Sequence, residues 1–312
     1  MVDARAALAA VCLCLAAPAG AEVLTIAAAE PANAEANDLY RLAVERFEGR
    51  DGAMFAQALE AELGAAEFDG RPYFRIVAPE SGAPIDALVT GTVRSNVEEV
   101  PVTEKRDRCT EYDPADKKKC LKEVEVEIRC RRRIATAATT VRLVAIADGS
   151  VRYSRPLNAR DEITYCPDRS ASRTVEQFVN ATRKKQVEAI RDDLAPRRYV
   201  LDVRVDENRK GLAKPAAEAF KDAIRQTKSD QAGACAAWTA LTREAVPTAA
   251  LAFNLGLCSE MQGDFDAAID WYGEAQRQGL RGEAIPAALT RIERHRKAIA
   301  DWQARKQLMG YK

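Results

Sequence analysis

The sequence predicts an α+β protein, with an amino-terminal α/β sandwich domain followed by an all-α helical domain. Three observations predict it. From Leu121 to Cys130 apolar and charged residues alternate with the period of two that a half-buried strand requires. Beyond Lys210 the apolar residues recur instead at three- and four-residue spacings to the end of the chain, which is helical periodicity. The composition, 47% apolar and 30% charged, is that of a globular protein, and 312 residues leave room for two cores.

The chain begins MVDARAALAAVCLCLAAPAGAE. Arg5 precedes an apolar run from Ala6 to Ala17, Pro18 breaks it, and Ala19-Gly20-Ala21 supplies small residues before Glu22. That order predicts a secretory signal peptide over 1–21, with an apolar run too short to span a bilayer. Neither Cys12 nor Cys14 follows the tripeptide a lipid-anchored signal needs. The mature chain is therefore expected to be exported, to the bacterial periplasm, and to carry no transmembrane segment. Lys plus Arg equals Asp plus Glu at 47 each, so no global field draws the protein to nucleic acid or an anionic surface.

Residues 22–38 read as a strand or extended lead and a linker. YRLAVERF, 40–47, fits a strand or a helix, and Gly49-Arg50-Asp51-Gly52 ends either. Ala53 to Ala66 places Phe55, Leu59 and Leu63 on one helical stripe. Tyr73–Val77 and Ala87–Val93 read as short strands. Ile134–Ala147 is rich in β-branched residues, and Asp148-Gly149 predicts a two-residue hairpin turn. Val175–Leu194 reads as a helix, and Tyr199–Val205 as the strand that closes the first domain. The α/β domain is thus read over 39–206 with a hairpin insert at 97–133, and the helical domain over 207–312.

The segments YRLAVERFEGRDG (40–52), FAQALEAEL (55–63), YFRIV (73–77), DALVTGTV (86–93) and VRLVAIADGSVRYS (141–154) follow the order of strand, helix, strand, central strand and hairpin pair. In that order 39–205 resembles a divergent member of the superfamily of the curli-assembly channel subunit and the TolB amino-terminal domain. The resemblance implies a binding or assembly role at the cell envelope and transfers no catalytic residue. The charged insert with its cysteines departs from that pattern.

In the helical region AFNLGLCSEMQGDFDAAIDWYGEAQ, 252–276, reads as two antiparallel helices turning at Gly263-Asp264. Leu251, Leu255 and Cys258 line the first, and Phe265, Ala268, Ile269, Tyr272 and Ala275 the second. Small Gly256, Ala268 and Ala275 permit close approach while Leu255 and Tyr272 fill the gap. This resembles a tetratricopeptide repeat over about 214–280. A shift of 34 residues maps Ala268, Tyr272 and Ala275 onto Ala234, Trp238 and Leu241. Glu283–Met309 reads as a long capping helix.

Without the signal, six cysteines remain, an even set that in an oxidising compartment predicts disulfides. Their distribution suggests Cys109 with Cys120, Cys130 with Cys166, and Cys235 with Cys258. Zinc is the rival for the first four, against which stand the lack of a CxxC pair and a sole histidine, His295, far along the chain. Arg131, Arg132 and Arg133 are a candidate anion contact, or a solvated strand end balanced by Glu125 and Glu127. No phosphate loop, dinucleotide fingerprint or GxSxG precedes a usable histidine, so no cofactor, metal or catalytic residue is expected. The expectation is a non-enzymatic envelope adaptor or assembly factor that binds a protein or peptide. An envelope hydrolase using carboxylates and a subunit of an outer-membrane export complex are the alternatives.

Overall fold

The computed structural model describes residues 22–33, 36–244 and 246–309. The expected signal peptide, with Cys12 and Cys14, lies outside the described residues. The protein is α+β. It divides into two compact units, each assembled from separated stretches of chain. Of the described residues, one unit takes 22–28 together with Tyr199–Glu293; the other takes Ala29–Arg198 and 294–309. The sequence reading placed a single boundary near Asp206. The structure divides the chain otherwise because a strand at each end of the sheet-rich region buries its apolar side among helices.

In the sheet unit, the strands are β2 (Arg41–Val44), β3 (Glu67–Phe68), β4 (Arg71–Pro72), β5 (Arg75–Ile76), β6 (Ala87–Tyr112), β7 (Cys120–Ala145) and β8 (Val151–Tyr165). They are preceded by β1 (Val23–Glu30) and accompanied by helices α1 (Gly52–Gly64) and α2 (Val175–Leu194). One five-stranded sheet runs in the order β5-β2-β6-β7-β8, with β2 parallel to both neighbours and the long strands antiparallel. The ambiguous YRLAVERF is therefore a strand: its Leu42 and Ala43 are fully buried between β5 and β6. One sheet face presents Val89, Val93, Val141, Leu143 and Ala145 to Phe55, Leu59 and Leu63 of α1 and Val187, Ile190 and Leu194 of α2. Gly49, at φ 100°, lets the chain pass β6 where a Cβ would meet the Val93 carbonyl at 1.9 Å. Helix α2 starts with a reciprocal capping box between Thr174 and Gln177.

Two strands are longer than the sequence suggested. The expected short strand Ala87–Val93 continues without a break through the supposed insert to Tyr112, and Leu121–Cys130 and Ile134–Ala147 are one strand, β7. The Asp148-Gly149 turn lies in a longer loop between Ala145 and Val151, with Gly149 at φ 69°.

At the carboxy-terminal end of this unit, Trp302 packs against Phe68 and Tyr73. Arg305 is 1% exposed. Its guanidinium donates to the carbonyls of Asn37 (2.7 Å), Leu39 (3.0 Å) and Tyr73 (2.6 Å) and lies 3.9 Å from the Tyr73 ring centroid. Burial lowers its pKa, and among the described residues no carboxylate hydrogen-bonds it.

The helical unit holds the start of β1, most of β9 (Arg197–Arg204), and helices α3 (Lys214–Gln226), α4 (Gln231–Leu241), α5 (Ala249–Met261) and α6 (Phe265–Arg277). The first turns of α7 (Ala284–Leu308) complete it. Strand β9, expected to close the sheet of the first domain, instead pairs with β1 as a separate two-stranded ribbon. Leu24, Ile26 and Val205 of that ribbon are buried with Phe220, Trp238, Leu251, Leu255 and Ile285. Helix α5 is buried from Ala250 through Cys258, apolar all round as a helix enclosed by others must be. A Cβ at Gly256 would lie 2.5 Å from the Tyr272 ring, so this residue type sets how closely α5 and α6 pack. Ala268, Tyr272 and Ala275 are fully buried, as are Ala234 and Trp238 at the positions 34 residues earlier. Gly263, at φ 80°, makes the turn before Asp264 caps α6 through the Ala267 N–H.

Candidate functional site

Two surfaces have the form of binding elements: an open cleft in the helical unit and a stapled ribbon in the sheet unit.

The cleft, about 640 Å³, is floored by Val203, Val205, Phe253, Leu280, Ala284 and Ala287. Its rim is the chain leaving β9, from Arg204 to Asn208. That rim is held by side chains. Asn254 of α5 is 0% exposed, accepts the Asp206 N–H at 2.8 Å and donates to the Asp206 carbonyl at 2.9 Å. The Asp206 carboxylate then accepts the Asn208 N–H at 2.8 Å, and Asn208 accepts the Lys210 N–H at 3.0 Å, two successive Asx turns. Arg204 pairs with Glu207 at 2.8 Å.

Arg291 closes one end of the cleft. Its Nε and Nη2 reach the two oxygens of buried Glu260 at 2.5 and 2.7 Å, and the Tyr272 hydroxyl donates to the same carboxylate at 2.7 Å. Burial pulls the Arg291 pKa down, but the bonds and charge of Glu260 outweigh it and the net shift is upward. Burial, then the Glu260 charge, raises that of Tyr272. Near neutral pH Arg291 and Tyr272 both keep their protons, and the trio ties α5, α6 and α7 together. What the cleft can do chemically is enclose apolar side chains beneath a rim of fixed polar backbone.

The ribbon consists of β6 and β7 beyond the end of β8. Their pairing continues from Val102 opposite Cys130 to Tyr112 opposite Cys120. At about 3.4 Å per residue this is roughly 35 Å of two-stranded arm. Among the described residues three disulfides form, in the pairing read from the sequence: Cys109–Cys120 at the arm tip, Cys130–Cys166 at its base, and Cys235–Cys258 between α4 and α5. Glu104 lies beside Cys130 and Cys166 in a group with the spacing of metal ligands, but sulfurs bonded to each other are not thiolates. Val126 and Ile128 share a face with Cys130, while Tyr112 (54% exposed) and Leu121 (51%) stand out at the tip.

The three arginines do not converge on one anion. Arg131 and Arg133 project from one face of β7 and Arg132 from the other, as strand alternation dictates. Arg131 pairs with Glu99 at 3.4 Å and Arg132 with Glu162 at 3.4 Å, and Arg133 donates to the Arg173 carbonyl. The carboxylates are thus not the expected Glu125 and Glu127; Glu125 binds Lys105 instead. His295, the sole histidine, is half-buried on α7. Sequence reasoning missed Asn254, Glu260 and Arg291. Polar residues inside apolar helical stripes were the available signal.

No helix among the described residues is long and apolar enough to cross a membrane. A family model described as a domain of unknown function (DUF6340) matches residues 221–304, in the helical region. No curated protein matches the chain. Among solved structures, a PelC dodecamer from Paraburkholderia phytofirmans, carrying a point substitution, is similar at 15% identity, over 55% of this chain and 98% of that one, with a TM-score of 0.28. A TM-score of that size supports neither a shared fold nor a shared role.

Proposed function

We propose that this chain is an exported, non-enzymatic adaptor or assembly factor of the cell envelope that binds a protein or peptide through the cleft of its helical unit. The observation that carries the reading is the pre-set rim: Asn254 holds Asp206 by both its N–H and its carbonyl over an apolar floor. A cleft already shaped in the free protein loses little freedom when it is filled. The packing of α5 on α6 around Gly256 supports the tetratricopeptide-like reading, a scaffold suited to presenting such a surface. Three disulfides support an oxidising compartment, and with it the periplasm. The stapled ribbon is the second candidate face for the sheet unit. A photo-crosslinking side chain in place of Ala287, installed in the native organism, should capture a reproducible envelope protein. Capture of nothing above the level at an exposed control position would overturn the reading. Turnover of muropeptides or glycans by the purified mature chain would favour a hydrolase instead.

A further inference from the structure

The β1–β9 ribbon has two outer edges, and the chain treats them differently. The Val205 N–H donates to the Glu22 carbonyl at 3.1 Å, so the odd-numbered residues of β9 direct their backbone groups toward β1. On the far edge of β1, the Gln231 amide acts as a substitute strand. It accepts the Thr25 N–H at 3.0 Å and donates to the Val23 carbonyl at 3.3 Å. On the far edge of β9, the Asn254 amide does the same for Asp206. The rest of that edge, the outward N–H and C=O groups of Val200, Asp202 and Arg204, pairs with no third strand among the described residues. All three residues are exposed.

The open edge leads into the cleft, because Arg204 and Asp206 themselves line it. Beside them on the inner side of the strand lie Val203 and Val205, then Phe253, Leu280 and Ala287. A segment that bonded to this edge would place every second side chain over the apolar floor. We infer that the occupant of the cleft is an extended peptide segment that joins β9 as a third strand and sets apolar side chains on Val203, Phe253 and Leu280. The recognition is backbone pairing for affinity and alternate apolar positions for selectivity. Asn254 marks where the added strand ends, since its amide already occupies the next pairing position. This inference rests on the cleft reading above and adds the conformation and pattern of what binds there.

The test uses the mature full-length chain and a displayed library of random heptapeptides. Selected peptides are resynthesised with a single N-methyl group moved along the backbone, and three proteins are compared: the parent, Arg204→Pro and Ala287→Arg. Proline at 204 removes an outward donor and leaves the bonds to β1 in place. Parent-like melting and intact disulfides check both variants. Expected are affinity losses of at least tenfold at every second N-methyl position, a similar loss with Arg204→Pro, and loss of binding with Ala287→Arg. Slowed amide exchange at Val200, Asp202 and Arg204 should accompany binding. If Ala287→Arg abolishes binding while Arg204→Pro and N-methylation have no effect, strand addition is wrong and the cleft reading stands. If the library yields no peptide, or Ala287→Arg leaves binding unchanged, both readings fall.

Discussion

The helical unit and the stapled ribbon use the same bond for opposite purposes. Cys235 and Cys258 are 2% and 4% exposed, inside a core already closed by Trp238, Leu255 and Tyr272. Cys109 and Cys120 tie the end of an arm whose neighbouring residues are mostly exposed on both faces. In the first case the crosslink adds to packing. In the second it stands in for packing, since two strands without a covering layer are marginal in water. A disulfide therefore says little about a region until the burial around it is known.

The comparison can be broken first at the buried ion pair. Glu260→Ala leaves Arg291 buried without its carboxylate and should destabilise the helical unit by about 3–5 kcal/mol, read as a lowered urea midpoint. A loss under about 1 kcal/mol would mean that water reaches Arg291. Next, replacing Cys235 and Cys258 together by alanine should cost about 3 kcal/mol, as expected for closing a loop of this size. The same change at Cys109 and Cys120 should leave the melting transition in place and speed amide exchange only along the ribbon. Reversal of those two results would overturn the contrast. Gly256→Ala comes third: the methyl group meets the buried Tyr272 ring, and a net loss of about 1–3 kcal/mol is expected from overpacking. Alanine favours helix by only about 1 kcal/mol over glycine, so stabilisation would show that α5 and α6 can separate freely.

The smallest effect is a pH dependence in the sheet unit. Asp193 accepts from Asn33 at 3.0 Å and from Tyr153 at 2.6 Å, and pairs with Arg155. Burial pushes its pKa up, but these bonds outweigh it and hold it below 3.8. A carboxyl lowered in the folded state contributes stability above its unfolded value, and that stability is lost as pH falls through the folded value. Stability should therefore drop below about pH 4, and Asp193→Asn should flatten that acid limb. An unchanged limb would place the sensitivity at another carboxylate, such as Asp86.

Periodicity was enough to read α2, whose bounds match the expected Val175–Leu194, and the α5–α6 pair with its small-residue contacts. Cysteine distribution was enough for the three pairings. What stayed hidden were properties of partners far apart in sequence. Strand β9 reads the same whether it joins the main sheet or β1, because alternation fixes which side chains share a face and not which strand lies alongside. Exposed charges after Val93 looked like an insert, although a strand that leaves its sheet keeps its backbone pairing while losing its buried face. Asn254 was read as part of an apolar helix, and its partner, the main chain of Asp206, leaves no mark in composition.

Both units are closed by stretches that the ribosome delivers far apart. Strand β1 finds its partner only once residues near 200 exist, and the core around Tyr73 waits for Trp302 and Arg305. Neither unit can finish in the order in which it is made. A truncation at residue 206, which looks like a clean cut between halves, would remove a piece of each. For this chain the smallest piece expected to fold is nearly the whole of it, and almost all of it must emerge before either core can shut.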